Sequence, residues 1–249
     1  MVTAMQKLRI PVIAYDAASG RNVSRTLYFD AKKAGYGNWP QTMLEAQARG
    51  EMLSKSGQWY RGRQWLENNN PDAERDFITG ALEWTRDVLD YNQEALLTVD
   101  KLNPDGSIAS AITFGKKDGF ELPPESKYIK DMPDRCMKTI SYLWGVENPK
   151  RELPDYAYLW VSPGFRPVVR GARDLDPRDD RRVGANAPYD AGDRRFAARF
   201  VSATKPQELE PRYVLSKNDY EALVAEAGKL EGADSISIRA LLARATLID

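Results

Sequence analysis

The chain of 249 residues contains no histidine and a single cysteine, Cys136. Without histidine it can build neither a Ser-His-Asp or Cys-His catalytic system nor a zinc, iron or haem site that is bound by imidazole. One cysteine excludes an internal disulfide and a zinc site made of several cysteines. What remains is carboxylate-bound Mg²⁺ or Mn²⁺, carboxylate acid–base pairs, lysine or tyrosine chemistry, and binding without catalysis. No cofactor is expected.

Net charge is also missing, because 36 Lys+Arg balance 36 Asp+Glu. No global field therefore attracts nucleic acid or an anionic membrane, and electrostatic binding must come from local patches. No uncharged apolar run approaches the roughly 18 residues of a membrane span, and the first ten residues lack the apolar core of a signal peptide. These absences predict a cytoplasmic protein, or a component of a virion, that lacks a classical secretion signal and a membrane partner.

What is present favours a globular fold, since 42% of the residues are apolar and 29% are charged. Pro11 indicates that the first strand lies at a sheet edge or carries a bulge. The sequence Pro-Asp-Gly at 104–106 is typical of a turn between two strands. Alternating or β-rich stretches predict strands at residues 8–15, 23–29, 95–101, 107–114, 155–162, 165–170 and 196–202.

Apolar residues at helical spacing predict several helices. One begins near Pro40, a second runs from Pro71 through Leu89, and a third begins at Pro133. Near the C-terminus, capping residues at Ser216 and Ser235 predict two further helices.

Strands and helices do not alternate strictly along the chain. We therefore expect an α+β fold with a mostly antiparallel sheet and several packed helices, rather than a doubly wound parallel fold. The expected organisation is a core at residues 1–204, which includes an arginine-rich arm at about 171–195, followed by a helical segment at 205–249 that packs on the same core.

The most distinctive segment places three large aromatic residues and two arginines within eight positions. Flat rings stack on bases and guanidinium groups pair with phosphates, so this composition suits single-stranded nucleic acid. The alternative is that the tryptophans belong to the core and the arginines are solvated. The candidate binding residues of this window are Trp59, Tyr60, Arg61, Arg63 and Trp65.

A second candidate lies between residues 166 and 199, which hold nine arginines, six aspartates and no lysine. Exclusive use of arginine favours bidentate contacts with phosphate or carboxylate groups. The stretch either grips nucleic acid, docks on a neighbouring subunit through Arg–Asp pairs, or is a solvated loop. Its candidate nucleic-acid-binding residues are Arg170, Arg173, Arg178, Arg181, Arg182, Arg194 and Arg195.

One enzymatic alternative uses Asp105, Glu125 and Lys127. Two carboxylates can bind Mg²⁺, and a lysine can orient water or stabilise developing charge, as in nucleases that need no histidine. The spacing alone is a permissive pattern. The prolines at 123 and 124 also interrupt the strand that should present Glu125, and Asp105 lies in the predicted turn.

The residues favour a non-enzymatic subunit of a larger assembly that contacts nucleic acid through an arginine and aromatic surface. A ribonucleoprotein component and a viral structural protein both fit this hypothesis. One alternative is assembly through protein–protein contacts alone, with other copies or other chains as partners. The other alternative is the divalent-metal-dependent nuclease.

Overall fold

The computed structural model describes residues 6–16, 19–33, 35–78, 81–171, 182–189, 196–202, 214–216 and 246–248. The chain divides into two units, Met1–Ala203 and Thr204–Asp249. Strands among the described residues are β1 (Lys7–Asp16), β2 (Arg21–Asp30), β3 (Gly35–Tyr36), β4 (Glu51–Leu53), β5 (Leu82–Asp90), β6 (Ala95–Leu102), β7 (Ile108–Phe114), β8 (Lys127–Tyr128), β9 (Tyr158–Trp160), β10 (Phe165–Arg170), β11 (Arg182–Ala185), β12 (Phe196–Ala198), β13 (Phe200–Ser202), β14 (Val214–Ser216) and β15 (Thr246–Ile248).

Five α-helices lie in the same described ranges. None of them is both long enough and apolar enough to cross a membrane. They are α1 (Trp39–Ala48), α2 (Ser56–Asn69), α3 (Pro71–Ile78), α4 (Met137–Trp144) and α5 (Pro149–Glu152).

The first sheet has four antiparallel strands in the spatial order β1, β2, β13, β4. Strands β1 and β2 match the strands predicted at residues 8–15 and 23–29, and they form a hairpin in register from Lys7 opposite Asp30 to Asp16 opposite Arg21. Pro11 lies on β1, an end strand in this order, as expected for a residue that cannot donate a ladder hydrogen bond.

The second sheet is organised around β5. Along one edge β5 pairs with β10. Along its other edge, residues 82 and 83 pair with β12, and residues 87–90 pair with β6, which in turn pairs with β7. Beyond β10 the order continues through β11 and β9 to β8, and β3 pairs with the far side of β12. Most of the pairs in the two sheets are antiparallel, and the fold is α+β as the sequence predicts.

Two neighbouring strands, β12 and β13, connect the sheets. They are separated by Arg199 alone, yet β12 belongs to the second sheet and β13 to the first. Phe200 and Val201 of β13 lie opposite Leu53 and Met52 of β4. One short segment therefore joins both sheets at their interior strands.

Helix α1 begins at Trp39, next to the predicted start at Pro40. The side chain of Asn38 accepts a hydrogen bond from the backbone N–H of Gln41 at 3.0 Å, and the side chain of Gln41 accepts one from the N–H of Asn38 at 3.3 Å. This reciprocal capping box, with Pro40 in the first turn, satisfies N–H groups that a helix start leaves without partners. Helix α4 ends at Gly145, whose φ of 60° suits a residue without a Cβ.

The apolar core consists of two clusters. The larger cluster contains Trp59 and Leu66 of α2, Ile140 and Leu143 of α4, and Phe29 of the first sheet. The smaller cluster packs Trp39 and Met43 of α1 against Trp84 and Val88 of β5. In the second unit, Thr204–Asp249, the described residues form one parallel pair, β14 with β15.

One predicted helix is wrong in its extent. The helix expected from Pro71 through Leu89 ends at Ile78, and residues 82–90 form β5 instead. Residues 83–90 are all buried, because β5 has pairing strands on both edges and apolar side chains on both faces. The expected C-terminal helices after Ser216 and from Ser235, and most of the expected arm at about 171–195, lie outside the described residues.

Candidate functional site

The aromatic window at residues 58–65 lies within helix α2. Positions 59, 63 and 66 are separated by four and three residues, so they share one face of the helix. Trp59, Tyr60 and Arg63 on or beside this face are buried, with at most 6% of each residue exposed. The ring of Trp59 packs on Phe77 with 5.2 Å between centroids. Trp59 and Tyr60 are therefore core residues in this fold, and their faces are not open to a base.

The charged residues of the window make structural contacts. The Nε of Arg63 donates to the carboxylate of Glu74 at 2.8 Å, which connects α2 to α3. Arg61 donates to the carbonyl oxygen of Gly145 at 3.0 Å and forms an ion pair with Glu152 at 2.9 Å. These pairs orient both guanidinium groups toward neighbouring elements.

Of the five candidate binding residues in the window, Arg61 and Trp65 remain partly exposed. Together with Pro11 and Ile13 of β1 they line an open groove with about 510 Å³ of water-accessible space. Ile13 is 56% exposed in this groove. The window therefore presents two partly exposed side chains at the surface, and not a set of exposed rings on which bases could stack.

Arg170, at the end of β10, is fully buried. Its guanidinium carbon lies 5.0 Å from the ring centre of Tyr60, 5.2 Å from that of Trp144 and 5.5 Å from that of Trp59. Three aromatic rings around one cation give favourable cation–π contacts in a site that water does not reach. Arg170 thus packs in the core and does not present its guanidinium to a phosphate on the surface.

The other candidate arginines fall in or beside the undescribed part of the chain. Arg182 is the first residue of β11, and its backbone is described. Arg173, Arg178, Arg181, Arg194 and Arg195 lie outside the described residues.

The residues of the nuclease alternative lie on different parts of the second sheet. The carboxylate of Asp105 accepts hydrogen bonds from the N–H and the hydroxyl of Ser107, which lower the pKa of Asp105, in the turn between β6 and β7. Lys127 lies on β8, and the strands β5, β10, β11 and β9 separate β6 from β8 in the pairing order. Glu125 is an exposed residue that precedes β8. Within the described residues, no group of three or more acidic or cysteine side chains is placed to hold a metal ion.

A surface that the sequence reasoning missed lies on β8 and β9. Tyr128 is 50% exposed and Trp160 is 58% exposed, and Tyr158 lies between them as the register partner of Tyr128. The rings of Tyr128 and Tyr158 meet edge to face with centroids 5.1 Å apart. Leu159, between Tyr158 and Trp160, is fully buried on the opposite face of the strand. We call Tyr128, Tyr158 and Trp160 the aromatic face.

The signal for this surface was the order Tyr158-Leu159-Trp160 within a predicted strand. Alternate residues of a strand point to opposite faces, so only Leu159 or its two aromatic neighbours can enter the core. The sequence does not indicate which side is covered, because that depends on the distant residues of the larger core cluster, such as Ile140 and Leu143 of α4, to which Leu159 belongs.

Strand β11 extends beside the aromatic face. It pairs in parallel with β9, so that Arg182 is in register with Tyr158 and Gly184 with Trp160. Neighbouring strands lie about 4.8 Å apart. Arg182 of the arginine-rich stretch therefore lies on the strand that is the direct neighbour of the aromatic face. Comparisons of the chain with protein-family models, curated proteins and solved structures gave no match.

Proposed function

We propose that the chain is a non-enzymatic subunit of a larger assembly and that it binds single-stranded nucleic acid across the aromatic face. The observation that carries this proposal is the register of Tyr158 with Arg182. It brings the two chemistries of single-strand binding together: rings on which bases stack, and a residue of the arginine-rich stretch, whose guanidinium groups can neutralise phosphates. The proposal fits a ribonucleoprotein component or a viral structural protein, in the cytoplasm or in a virion.

The binding surface differs from the one that the sequence first indicated. Trp59, Tyr60 and Arg170 are in the core, so the stacking role passes to Tyr128, Tyr158 and Trp160. The described charges around these rings are mixed, as the ion pair of Lys130 with Asp155 illustrates. Phosphate contacts in the proposal therefore come from the arginine-rich stretch, in which Arg182 is in register with Tyr158 of β9 and Arg181 precedes it.

Fluorescence anisotropy with a labelled single-stranded oligonucleotide tests the proposal. Binding should weaken with added salt, with a log–log slope of roughly −0.7 per contacted phosphate. Trp160→Ala should weaken binding by about 1–3 kcal/mol, the contribution of one stacked base, with little change in this slope. Changing both Arg181 and Arg182 to alanine should flatten the slope.

The matched control is Tyr36→Ala. Tyr36 is also an exposed aromatic residue, at 61%, but it lies on β3 at the other end of the pairing order. Its removal should leave binding unchanged. Absence of binding at low salt, or equal losses for Trp160→Ala and Tyr36→Ala, would refute the proposal.

Assembly through protein contacts alone is the second candidate. Exposed tyrosine and tryptophan side chains are enriched at the centres of protein interfaces, so the aromatic face suits a protein partner as well. Light scattering separates the two. If Trp160→Ala lowers the mass of the native particle but leaves oligonucleotide binding intact, the aromatic face is a subunit interface.

A further inference from the structure

A small recess lies where the β1–β2 hairpin meets the start of α2 and the helix α4. It offers about 30 Å³ of water-accessible space, which is room for about two water molecules. Apolar side chains form much of the wall, and its charged groups are one lysine, one arginine and one aspartate, Asp16. Among the residues that line it are Val12, Arg25, Leu27, Lys55, Gln58 and Tyr142.

Lys55 is the residue of chemical interest in this recess. It immediately precedes α2, and its Nζ lies 5.6 Å from the centre of the Tyr142 ring. In the described part of the chain, no carboxylate lies within ion-pair distance of this amine and no acceptor within hydrogen-bond distance. Burial lowers the pKa of Lys55, against the attraction of the more distant Asp87 and Asp16 and with the repulsion of Arg86 and Arg25.

A hydrogen-bonded chain holds the floor of the recess in place. The hydroxyl of Thr98 donates to one carboxylate oxygen of Asp87 at 2.8 Å, so the Tyr142 hydroxyl donates to Thr98 in turn. The other oxygen of Asp87 accepts the backbone N–H of Ser56 at 2.6 Å. Asp87 therefore holds two groups in place. One is the ring of Tyr142, through Thr98, and the other is the first turn of α2, which directly follows Lys55.

Lys33 provides an internal comparison. Burial lowers the pKa of this lysine as well. Its amine, however, donates to the carbonyl oxygen of Ala81 at 2.6 Å and lies 3.6 Å from the carboxylate of Glu83. Both lysines are thus desolvated, but Lys55 lines the recess, whereas the amine of Lys33 is held by Ala81 and Glu83.

We propose that Lys55 is a nucleophilic amine that forms a Schiff base with a small carbonyl acid, such as an aldehyde or keto acid of a few heavy atoms. The neutral amine attacks the carbonyl carbon, a C–N bond forms, and the carbonyl oxygen takes up a proton. The resulting carbinolamine loses one molecule of water to give the imine, so no oxidant or reductant is needed. Arg25 lines the same recess and suits the carboxylate of the ligand.

The size of the recess restricts the ligand, because space for about two water molecules admits a carbonyl group but not a ring system. The proposal does not depend on nucleic-acid binding, since the recess and the aromatic face share no residue.

Reductive trapping tests the site. The intact protein is incubated with glyoxylate and cyanoborohydride near neutral pH, and modified lysines are located by peptide mass spectrometry. Lys55 should be labelled faster than the exposed Lys117, because burial lowers the pKa of Lys55 and so raises the fraction of neutral, nucleophilic amine. Lys33 should remain unlabelled. Labelling of Lys55 no faster than Lys117, or equal labelling of Lys33 and Lys55, would overturn the proposal.

A second reagent separates the amine from the binding site. Arg25→Gln removes a charge that helps to lower the pKa of Lys55, so it should slow the labelling of Lys55 by both reagents. Formaldehyde has no carboxylate, so the labelling by glyoxylate should be slowed more, by up to about a further fivefold. Equal effects on both reagents would show that Arg25 does not recognise the ligand, and that part of the proposal would fall.

Discussion

The guanidinium carbon of Arg199 lies 4.2 Å from the centre of the Phe77 ring, with both side chains buried. The same guanidinium donates to the carbonyl oxygens of Asp30 and Ala31 at 2.6 Å and 2.7 Å, and its Nε lies 3.5 Å from the carboxylate of Glu83. Arg199 is also the residue between β12 and β13. One side chain therefore stabilises the place where the chain passes from one sheet to the other.

We expect Arg199→Met to lower the free energy of unfolding by about 3–5 kcal/mol, since it removes one partner of a buried charged cluster. Urea denaturation monitored by circular dichroism measures this loss. Lys150→Ala, which breaks the exposed ion pair with Asp134, is the control and should change stability little. A loss below about 1 kcal/mol for Arg199→Met would mean that the cluster contributes little beyond packing.

Gly57→Ala should destabilise the fold by about 1–3 kcal/mol, despite the usual preference of helices for alanine. A Cβ at this position would lie 2.7 Å from the backbone nitrogen of Gly145 and 2.7 Å from the backbone oxygen of Tyr142. Backbone atoms cannot rotate away as a flexible side chain can. Thermal unfolding measures the effect, with Gly115→Ala as the control because its Cβ would meet nothing within 4 Å. Equal melting temperatures for the two variants would contradict the close approach of α2 and α4.

Asp87 should make stability depend on pH in the acid range. Burial raises its pKa above the usual 3.8, although hydrogen bonds and nearby cations oppose the shift. Between pH 3.8 and the raised value, folded Asp87 holds a proton that the unfolded chain has lost. The contribution of Asp87 to the free energy of unfolding is therefore greatest at low pH, and it is lost as the pH rises from 3.8 through the raised pKa. The wild-type protein should therefore gain stability relative to Asp87→Asn as the pH falls toward 3.8, which urea denaturation at several pH values measures.

Asp105→Asn gives the control of opposite sign. Hydrogen bonds from Ser107 lower the pKa of Asp105, so its contribution is present above pH 3.8 and is lost as the pH falls. The wild-type protein should lose stability relative to this variant in acid. If the two variants show the same trend with pH, the assignment of the shift to Asp87 is wrong.

Cys136 should resist thiol reagents until the protein unfolds. The side chain is buried, its Sγ lies 3.7 Å from the carbonyl oxygen of Leu122, and burial raises its pKa. Since the thiolate is the reactive form, the raised pKa slows the reaction in addition to the steric effect of burial. Reaction with Ellman's reagent should be slow in buffer and fast in urea. Equal rates would show that the thiol is open to solvent in the folded state.

Local signals made several elements predictable. The β1–β2 hairpin, the start of α1 and the β6–β7 turn follow from alternation, capping and turn chemistry within about ten residues of chain. The second half of the helix predicted from Pro71 through Leu89 is strand β5 instead, and the reason is not local. Ile78, Leu82 and Leu89 fit helical spacing, but residues 83–90 are buried because β6 and β10 flank them. That outcome depends on distant strands, and short apolar runs are ambiguous without them.

The candidate site shows the same limit. The composition predicts a surface of aromatic and arginine residues. It does not show which aromatic rings lie on the buried face of a helix. Trp59 is buried because its face of α2 meets the first sheet and α4, whereas Trp160 is exposed because nothing in the described part of the chain covers it. Lys55 has no local signal either, since its surroundings come from the hairpin, α4 and β5.

The segment that carries β12 and β13 has a consequence for how the protein folds. Arg199 and its hydrogen-bond partner Asp30 are 169 residues apart in the sequence. Before the ribosome has released this segment, β2 and β4 lack the strand that joins them, and each exposes an unpaired edge. Closing so long a loop costs entropy before any contact compensates for it, so we expect high contact order and slow folding. Until β13 is synthesised, the nascent chain would therefore expose unpaired strand edges that favour aggregation. We expect chaperones to bind the chain at this stage.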